Sequence, residues 1–448
     1  MQSQKTKRMS NDIKFYQREE AFQRIKEIQE AAHQTAQMTM VTGRHRIGKT
    51  QFILEATKGA KTLYFYIARK AESLLCREFE REARSKLNLP QMGDVDDFRT
   101  LMKHLMAASK EETFNVVIDE FHEWATINQK VFADLQGLWD RNHDRSHICL
   151  FLMGTDGAQC TKLFDGKHAP LEGRVTSWVK LEPYTTTTLR EVLAANKPDY
   201  TAEDLMTLYC FTGGVPKYVD ILMRNKLFKA DDIIDFTCQD NSPFINEGKT
   251  LLIEDFGKEY TIYFSILTCI ANNITSRSLI EEYIQKEIGG YLTRLETDFH
   301  LIRKLTPLFS RSGSKNVRYT ISDNFLRFWF RFIYRYAQLV ETARFDELRS
   351  IIRQDFDTFR TESLSSYFEQ QLRESGEYPV IGGWWDNRCE EGLEIVALNE
   401  ATKRCLVVGV SPDKANVNID AMREQIEQLQ ELFGEYEVEY RACGMEDI

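Results

Sequence analysis

Eight residues near the start of the chain have the types and spacing of a phosphate-binding loop. The segment GRHRIGKT begins at Gly43 and ends with Gly48, Lys49 and Thr50. Its glycines would let successive backbone N–H groups turn toward phosphate oxygens, and the following helix would add the positive end of its dipole. The Lys49 ammonium would reach the outer phosphates, and the Thr50 hydroxyl would bind Mg²⁺. We therefore expect ATP or ADP to contact the residues Gly43, Arg44, His45, Arg46, Ile47, Gly48, Lys49, Thr50 and Gln51.

An acidic element further along the chain would supply the rest of this chemistry. The apolar run FNVVI is followed by Asp119 and Glu120. Because parallel sheets place ligands at the carboxyl ends of their strands, Asp119 would bind Mg²⁺ directly or through water. Glu120 would polarise the attacking water as a general base. The alternative for an isolated acidic pair is a solvated turn, which the upstream loop disfavours.

Two further polar residues are candidates for the same site. Thr155 follows the apolar run ICLFLMG and could bond the γ-phosphate or the lytic water. Its alternative role is that of an ordinary turn residue. Arg174 is a candidate transition-state or interdomain arginine, and its alternative role is a surface or salt-bridged arginine.

The elements around these residues predict an α/β fold. Strands are expected at 37–41, 62–67, 114–118 and 148–153, and the continuously apolar ones indicate a parallel sheet covered by helices. Helices are expected at 19–34, 70–87 and 97–109, and the chain is mainly helical from 188 to 240. Three helices at 263–272, 278–285 and 290–299 precede a hairpin with strands at 308–312 and 317–321, which is the winged-helix pattern. The C-terminal part predicts strands at 393–398, 405–410 and 436–441 and a helix at 419–433.

Composition limits the class of protein. The 448 residues include 42% hydrophobic and 28% charged residues, which is ordinary for folded soluble proteins and predicts about three domains. The formal net charge of −10 excludes a global basic field for nucleic acid, although a local basic patch stays possible. Nine scattered cysteines predict reduced thiols in a cytoplasmic protein, and no secretory signal or membrane span is expected.

The motifs together resemble a known family. FYQREEAFQRI, GRHRIGKT, VVIDEFHEW, GGVPKY and YTISDNFLRFWFRF are similar to motifs of prokaryotic AAA+-type ATPases of the archaeal-ATPase clade. The resemblance implies that Arg18 lies beside the adenine and that a lid turn with Gly214 and Pro216 caps the nucleotide. It also implies a C-terminal domain similar to PD-(D/E)xK nucleases.

The fold expected from pattern and resemblance is a P-loop NTPase αβα sandwich followed by three smaller parts. We expect an ATPase core at 1–183 and a helical lid at 184–245. A winged-helix domain with the start of an aromatic linker follows at 246–336, and a linker helix with an α/β restriction-endonuclease-like domain at 337–448.

The nuclease-like domain lacks most of the residues that cleavage needs. Its family pattern places three carboxylates and a lysine around Mg²⁺. Here the matching positions hold Ser365, Glu394, Gly409 and Ser411, so only one carboxylate remains. We therefore expect a structural or interaction domain without nuclease activity.

The winged helix leaves two interpretations open. The basic residues of its third helix and wing could contact DNA phosphates; the candidates are Arg294, Arg311, Lys315 and Arg318. The acidic net charge and the acidic neighbours in the third helix favour packing against protein instead.

The leading hypothesis is an ATP-binding, ATP-hydrolysing molecular switch that acts on DNA, a protein partner or a second copy of itself. An ATP-gated nuclease and a non-catalytic protein stabilised by nucleotide are the alternatives. Glu120 disfavours the last of these because a static site needs no base.

Overall fold

A computed structural model describes residues 16–88, 95–155, 163–164, 169–311, 313–314, 316–386 and 392–448. The chain divides into two compact units. The first comprises the chain up to Thr42, Gly48–Gly154 and Pro170–Leu181. The second comprises Gly43–Ile47, Thr155–Ala169 and Glu182–Ile448.

A five-stranded parallel sheet forms the first unit, with the strand order β2-β3-β4-β1-β5. The strands are β1 (Gln37–Thr42), β2 (Thr62–Tyr66), β3 (Phe114–Asp119), β4 (Ile148–Met153) and β5 (Ser177–Lys180). Every residue of β3 and β4 is buried, as expected for central strands with both faces covered. The four predicted strands are confirmed, and β5 is an addition at the sheet edge.

Helices connect these strands. They are α1 (Glu19–Ala32), α2 (Lys49–Ala56), α3 (Glu72–Leu87), α4 (Phe98–Ala108), α5 (Trp124–Ile127) and α6 (Lys130–Asn142), with 3₁₀ turns at Phe121–Glu123 and His143–Arg145. Local sequence explains their limits. Asp97, for example, begins α4 by accepting a hydrogen bond from the Thr100 N–H at 2.8 Å. The expected α/β class with a parallel sheet is therefore confirmed.

The part of the second unit that follows Glu182 begins with a helical segment, as predicted. Its helices are α7 (Thr186–Asn196), α8 (Ala202–Thr212), α9 (Pro216–Arg224), α10 (Ala230–Thr237) and α11 (Glu247–Phe256). Thr201 and Asp204 form a reciprocal capping box at the start of α8. Pro216 occupies the first turn of α9, where its missing N–H leaves no helical bond unmade.

Three helices and a hairpin follow, in the predicted order. The helices are α12 (Tyr260–Ala271), α13 (Arg277–Ile284) and α14 (Gly289–Thr297), and a 3₁₀ turn at Gly257–Glu259 precedes them. The hairpin pairs β6 (Ile302–Leu305) with β7 (Arg318–Ile321) in antiparallel fashion. The prediction of its first strand at 308–312 was wrong, because the Leu308 N–H donates instead to the Gly383 carbonyl at 2.8 Å.

A long helical stretch then crosses the second unit. It contains α15 (Asn324–Phe328), a π-helical segment (Trp329–Tyr334), α16 (Ala337–Glu341) and α17 (Phe345–Ser375). Its aromatic start packs against α8, where Phe211 contacts the rings of Phe325 and Phe328. The aromatic run FLRFWFRF therefore contributes to the core.

A four-stranded mixed sheet ends the chain, in the order β11-β10-β9-β8. Its strands are β8 (Val380–Trp385), β9 (Gly392–Asn399), β10 (Arg404–Val410) and β11 (Glu437–Cys443). The pair β10 and β11 is parallel, and the other two pairs are antiparallel. Helices α18 (Ile419–Gln428) and α19 (Gln430–Phe433) contribute Ile426 and Phe433 to the core of this sheet, and 3₁₀ turns lie at Lys414–Asn416 and Met445–Asp447.

The described cysteines are free and buried, as predicted for reduced thiols; they are Cys76, Cys149, Cys210, Cys238, Cys269, Cys405 and Cys443. Cys160 and Cys389 lie outside the described residues. Among the helices that the structure describes, none combines the length and the apolar character needed to cross a membrane.

Candidate functional site

The predicted phosphate loop lies at the carboxyl end of β1 and leads into α2. Gly43 and Gly48 have φ angles of 149° and 89°, in the region that favours glycine. Gly48 caps α2, and Lys49 is the first residue of the helix and is buried. The backbone thus has the strand, glycine turn and helix start that a phosphate site requires.

Asp119 accepts three hydrogen bonds at the end of β3. The Thr50 hydroxyl donates to Asp119 Oδ2 at 2.7 Å, and the Tyr64 hydroxyl donates to the same oxygen at 2.6 Å. The Glu120 N–H donates to Oδ1 at 2.9 Å. Burial, followed by the bond to Asp119, raises the pKa of Tyr64, so its hydroxyl remains a donor at physiological pH. Tyr64 was not predicted as a site residue.

The donor set around Asp119 fits Mg²⁺. Thr50 and Asp119 supply a hydroxyl and a carboxylate, which are the hard oxygen ligands that this ion prefers. Magnesium in nucleotide sites takes one or two protein oxygens and completes its shell with phosphates and water. The two predicted metal ligands are therefore adjacent, and their chemistry suits the ion.

Glu120 has an unusual backbone conformation directly after the strand. Its φ and ψ angles are 54° and 42°, a left-handed conformation that costs free energy for a residue with a side chain. Strain of this kind persists where the surrounding structure fixes it, often at functional sites. The side chain of His122 lies next to Glu120, with Nδ1 3.5 Å from Oε2.

Within the second unit, Arg46 of the phosphate loop forms an ion pair with Glu247. Arg46 Nε and Nη2 donate to the two carboxylate oxygens of Glu247 at 2.9 and 3.4 Å. Lys217 Nζ and the Tyr218 hydroxyl donate to Glu247 Oε1 at 3.0 and 3.2 Å. Glu247 is only 6% exposed, so this carboxylate is a buried hub that links the loop to α9.

Arg44 is held in a similar way by Asp323. Its guanidinium donates to Asp323 Oδ2, while Asp323 Oδ1 accepts the N–H of Leu326 at the start of α15. Burial lowers the pKa of Arg44. Neither Asp323 nor Glu247 was predicted, because both are distant in sequence from the loop that they contact.

The predicted lid turn is constrained by close backbone packing. Gly214 has a φ of 76°, and a Cβ atom there would lie 2.3 Å from the Tyr184 carbonyl oxygen. The Tyr184 N–H donates to the Gly214 carbonyl at 2.8 Å. Only glycine fits at this position, and Pro216 then begins α9.

The remaining nucleotide-site candidates have varied surroundings. Arg18 is buried at the start of α1, Ile47 is buried, and His45 and Gln51 are exposed. Thr155 follows β4, as expected. Arg174 donates through Nε and Nη2 to the two oxygens of Asp140 at 2.8 and 2.9 Å, which is the salt-bridged alternative for this residue.

Two of the residues predicted to contact nucleic acid, Arg294 and Arg318, contact other side chains of this protein. Arg294 Nη1 donates to Glu259 at 3.1 Å, and its guanidinium lies over the rings of Tyr263 and Phe299. Arg318 lies 4.7 Å from the ring centre of Trp385. Arg311 is exposed, and Lys315 lies outside the described residues.

Two family models match the sequence of this chain. One, described as an ATPase domain predominantly from Archaea, matches residues 15–222. The other, described as archaeal and bacterial proteins of unknown function, matches residues 329–435. An uncharacterised protein of Methanocaldococcus jannaschii, MJECL04, is 27% identical over 418 residues, which cover 90% of each chain.

Solved structures resemble the fold at low sequence identity. The Walker-type ATPase PABY2304 of Pyrococcus abyssi has a TM-score of 0.54 and 17% identity, and the match covers 71% of this chain and 96% of that one. The ORC2 protein of Aeropyrum pernix has a TM-score of 0.49 and 13% identity, with 77% and 98% of the two chains covered. The phosphate loop, the acidic strand end and the two family matches lead to one conclusion: residues 15–222 belong to an ATPase domain family found predominantly in Archaea, and residues 329–435 to a family of archaeal and bacterial proteins of unknown function.

Proposed function

We propose that the protein binds ATP with Mg²⁺ at the phosphate loop, hydrolyses it and acts as a molecular switch. The observation that carries this proposal is the 2.7 Å hydrogen bond between the Thr50 hydroxyl and Asp119 Oδ2. It joins the helix start after the loop to the acidic strand end, as a site for metal-bound phosphate requires.

Each residue of this site has a proposed role. Lys49 binds the outer phosphates, and Glu120 orients and deprotonates the attacking water. Mg²⁺ bound by Thr50 and Asp119 would neutralise phosphate charge. Thr155 is the proposed partner of the γ-phosphate or water. Arg18 is proposed to lie beside the adenine, the turn with Gly214 and Pro216 to cap the nucleotide, and the other loop residues to contact the phosphates.

Two substitutions separate binding from hydrolysis. Lys49→Ala should abolish the heat of Mg·ATP binding in calorimetry, because the phosphates lose their only loop ammonium. Glu120→Gln should keep that heat and lose phosphate release, by about 100-fold or more if it removes a general base.

The matched control is Lys58→Ala. Lys58 lies just after α2 and is exposed, and it pairs with Glu55 on the surface. Its binding and turnover should equal those of the wild type. If Lys49→Ala and Glu120→Gln also match the wild type, the phosphate-site assignment is wrong. Binding without turnover in the wild type would instead support a nucleotide that is purely structural.

The output of the switch is proposed to pass through the winged-helix-like helices and hairpin to a protein partner or a second copy of the chain. Support comes from the hairpin loop, which packs against β8. Trp385 Nε1 donates to Asn316 Oδ1 at 2.9 Å, and Arg318 lies over the Trp385 ring. The basic residue Arg318 is thus used within the second unit, which favours packing over DNA contact.

DNA binding remains the alternative that exposed Arg311 favours. Phosphate contacts would make a gel shift fall steeply with salt concentration. Charge reversal of Arg311, Lys315 and Arg318 should abolish any shift that the hairpin produces. A shift that survives this change would locate DNA binding elsewhere on the chain.

We propose that the C-terminal sheet is a nuclease-like domain without cleavage activity. Ser365 donates its hydroxyl proton to Glu394 at 2.6 Å, so the one remaining acidic position is bonded to a serine. A Cβ atom on Gly409 would lie 2.4 Å from Val417 Cγ1, which leaves no room for the carboxylate that cleavage needs there.

Incubation with plasmid, linear and single-stranded DNA in Mg²⁺ or Mn²⁺ tests this proposal. The wild type should leave all three substrates intact. Reproducible cutting that disappears in Glu394→Ala would establish an ATP-gated nuclease instead.

A further inference from the structure

His122 lies between two carboxylates, directly after the acidic strand end. It belongs to the 3₁₀ turn Phe121–Glu123 and is mostly buried. Its Nδ1 atom is 3.5 Å from Glu120 Oε2, and its Nε2 atom is 3.6 Å from Glu123 Oε1. The imidazole therefore faces the proposed base with one nitrogen and a second carboxylate with the other.

The outer carboxylate is fixed by an arginine. Arg69 Nε and Nη2 donate to the two oxygens of Glu123 at 2.8 and 3.0 Å. A bidentate pair of this kind is among the stronger and more directional hydrogen-bonded contacts in proteins. The Arg69 guanidinium also holds the pKa of Glu123 below its usual value, so Glu123 stays ionised and can only accept hydrogen bonds.

The inner carboxylate is constrained by its backbone. Glu120 is left-handed, and its N–H is bonded to Asp119 Oδ1 at 2.9 Å. With the main chain fixed in this way, the remaining freedom of Glu120 is the rotation of its side chain. A base needs its oxygen within hydrogen-bond reach of the water, and contacts around catalytic groups often tighten only when the substrate is bound.

The surroundings of His122 favour the neutral form of its imidazole ring. Burial lowers the pKa of His122; Glu123 and Asp119 act in the opposite direction, while Lys49 and Arg69 act with burial. A neutral imidazole carries one N–H and one lone pair. It can therefore donate to one carboxylate at a time, and the tautomer with the proton on Nδ1 is the one that can donate toward Glu120.

We infer that His122 is a positioning residue for Glu120 that acts through its Nδ1–H, with the Arg69–Glu123 pair beside its other ring nitrogen. The Nδ1–H of His122 would hold the Glu120 carboxylate toward the attacking water. This inference rests on the proposed role of Glu120 in ATP hydrolysis. It adds a residue that the phosphate loop and acidic strand do not include.

The test compares His122→Ala and His122→Gln with the wild type in steady-state ATP hydrolysis and in calorimetry with Mg·ATP. His122→Ala should lower kcat by about 10- to 100-fold, the scale on which misplacing a catalytic group acts. Its KM and its affinity for Mg·ATP should stay within about threefold of the wild type, because the histidine is not among the residues proposed to bind the phosphates. His122→Gln should recover part of kcat, since its amide can still donate to Glu120.

A double variant tests whether His122 acts through Glu120. In the Glu120→Gln background, adding His122→Ala should cost no further activity, because the group being positioned is already gone. The matched control is His33→Ala. His33 is an exposed histidine of the same unit that contacts the Thr113 hydroxyl, and its loss should leave kcat unchanged.

The outcomes separate this inference from the proposed function. Wild-type protein that binds ATP without turnover would overturn both the hydrolysis and the role of His122. Wild-type turnover that His122→Ala leaves within twofold would overturn the role of His122 alone. If both His122 variants lose ATP binding and melt at a lower temperature than the wild type, His122 is a structural residue. That outcome would also overturn its proposed role in positioning Glu120.

Discussion

Thr50 and Asp119 are joined by a direct hydrogen bond of 2.7 Å, although 69 positions separate them in the chain. The bond fixes the first turn of α2 against the end of β3. In a parallel sheet both elements reach the same edge, where the carboxyl ends of the strands lie. Thr50 and Asp119 therefore lie together at the edge of the sheet where a nucleotide and its metal ion would bind.

Tyr64→Phe should weaken the metal site while leaving the fold intact. The Tyr64 hydroxyl donates to Asp119 Oδ2 at 2.6 Å and so helps to orient the carboxylate. Loss of an outer hydrogen bond of this type costs about 10- to 100-fold in metal affinity or activity. We expect the Mg²⁺ concentration for half-maximal phosphate release to rise by about 10-fold, the lower limit of this range.

Tyr66→Phe is the control for this prediction. Tyr66 lies two residues further along the same strand and is 54% exposed. Its Mg²⁺ requirement should match the wild type. An unchanged requirement in Tyr64→Phe would mean that Thr50 and the backbone alone orient Asp119.

Glu247→Ala should destabilise the protein. The buried carboxylate accepts from Arg46, Lys217 and Tyr218, and its removal leaves two cationic groups without this counter-charge. Breaking a buried ion pair costs about 3–5 kcal/mol, and the partial exposure of Arg46 and Lys217 places our expectation near the lower limit. Thermal or denaturant unfolding measures the loss.

The exposed helical residue Glu282 supplies a matched control for Glu247. Glu282→Ala should change the free energy of unfolding by less than about 0.5 kcal/mol, as is usual for surface sites. Equal stability of the two variants would contradict a structural role for the Glu247 hub.

The central sheet was predictable because its strands are buried on both faces. ICLFLM is apolar throughout and FNVVI is apolar except for Asn115, and short runs of this kind between turns are typical of strands covered on both faces. The edge strand β5 has only four residues, SWVK, in which buried and exposed positions alternate but the buried Ser177 is polar and the exposed Trp178 is aromatic, so it was not predicted. Strand β8, VIGGWW, was also missed, because its Gly382–Gly383 pair is typical of a turn.

The site was predictable only where its residues belong to a local motif. Lys49, Thr50 and Asp119 have fixed positions relative to a strand and a helix. Tyr64 depends on the pairing of β2 with β3, and Glu247 lies about 200 residues from the loop that it contacts. No local pattern distinguishes such residues from other tyrosines and glutamates, because tertiary packing brings them together.

Arg174→Ala should reduce stability with little effect on turnover. The Arg174 guanidinium holds the pKa of Asp140 below its usual value. A carboxyl whose pKa is lowered by folding stabilises the protein above its unfolded pKa of about 3.9, and this contribution is lost as the pH falls through the folded value. We therefore expect a lower melting temperature at pH 7, with the difference from wild type shrinking below about pH 4 and vanishing once the pH is below the lowered pKa of Asp140.

Asp140→Asn distinguishes the structural role of Arg174 from a catalytic one. Both variants should lose about 0.2–1 kcal/mol at pH 7, the range for exposed pairs, and both should keep kcat within about threefold. Loss of kcat in Arg174→Ala alone, with Asp140→Asn active, would assign the arginine to the transition state.

Asn316→Ala and Trp385→Phe should be energetically coupled. Trp385 Nε1 donates to Asn316 Oδ1 at 2.9 Å, and the Asn316 amide donates to the Asp386 carbonyl at 3.0 Å. Trp385→Phe keeps an aromatic ring but removes the indole donor, and Asn316→Ala removes its acceptor. Because both changes break the same bond, the double variant should lose less stability than the sum of the single variants, by about 0.5–1.5 kcal/mol. Additive losses would show that the hairpin loop and β8 are held by other contacts, and the basic hairpin would then be a stronger candidate for binding DNA.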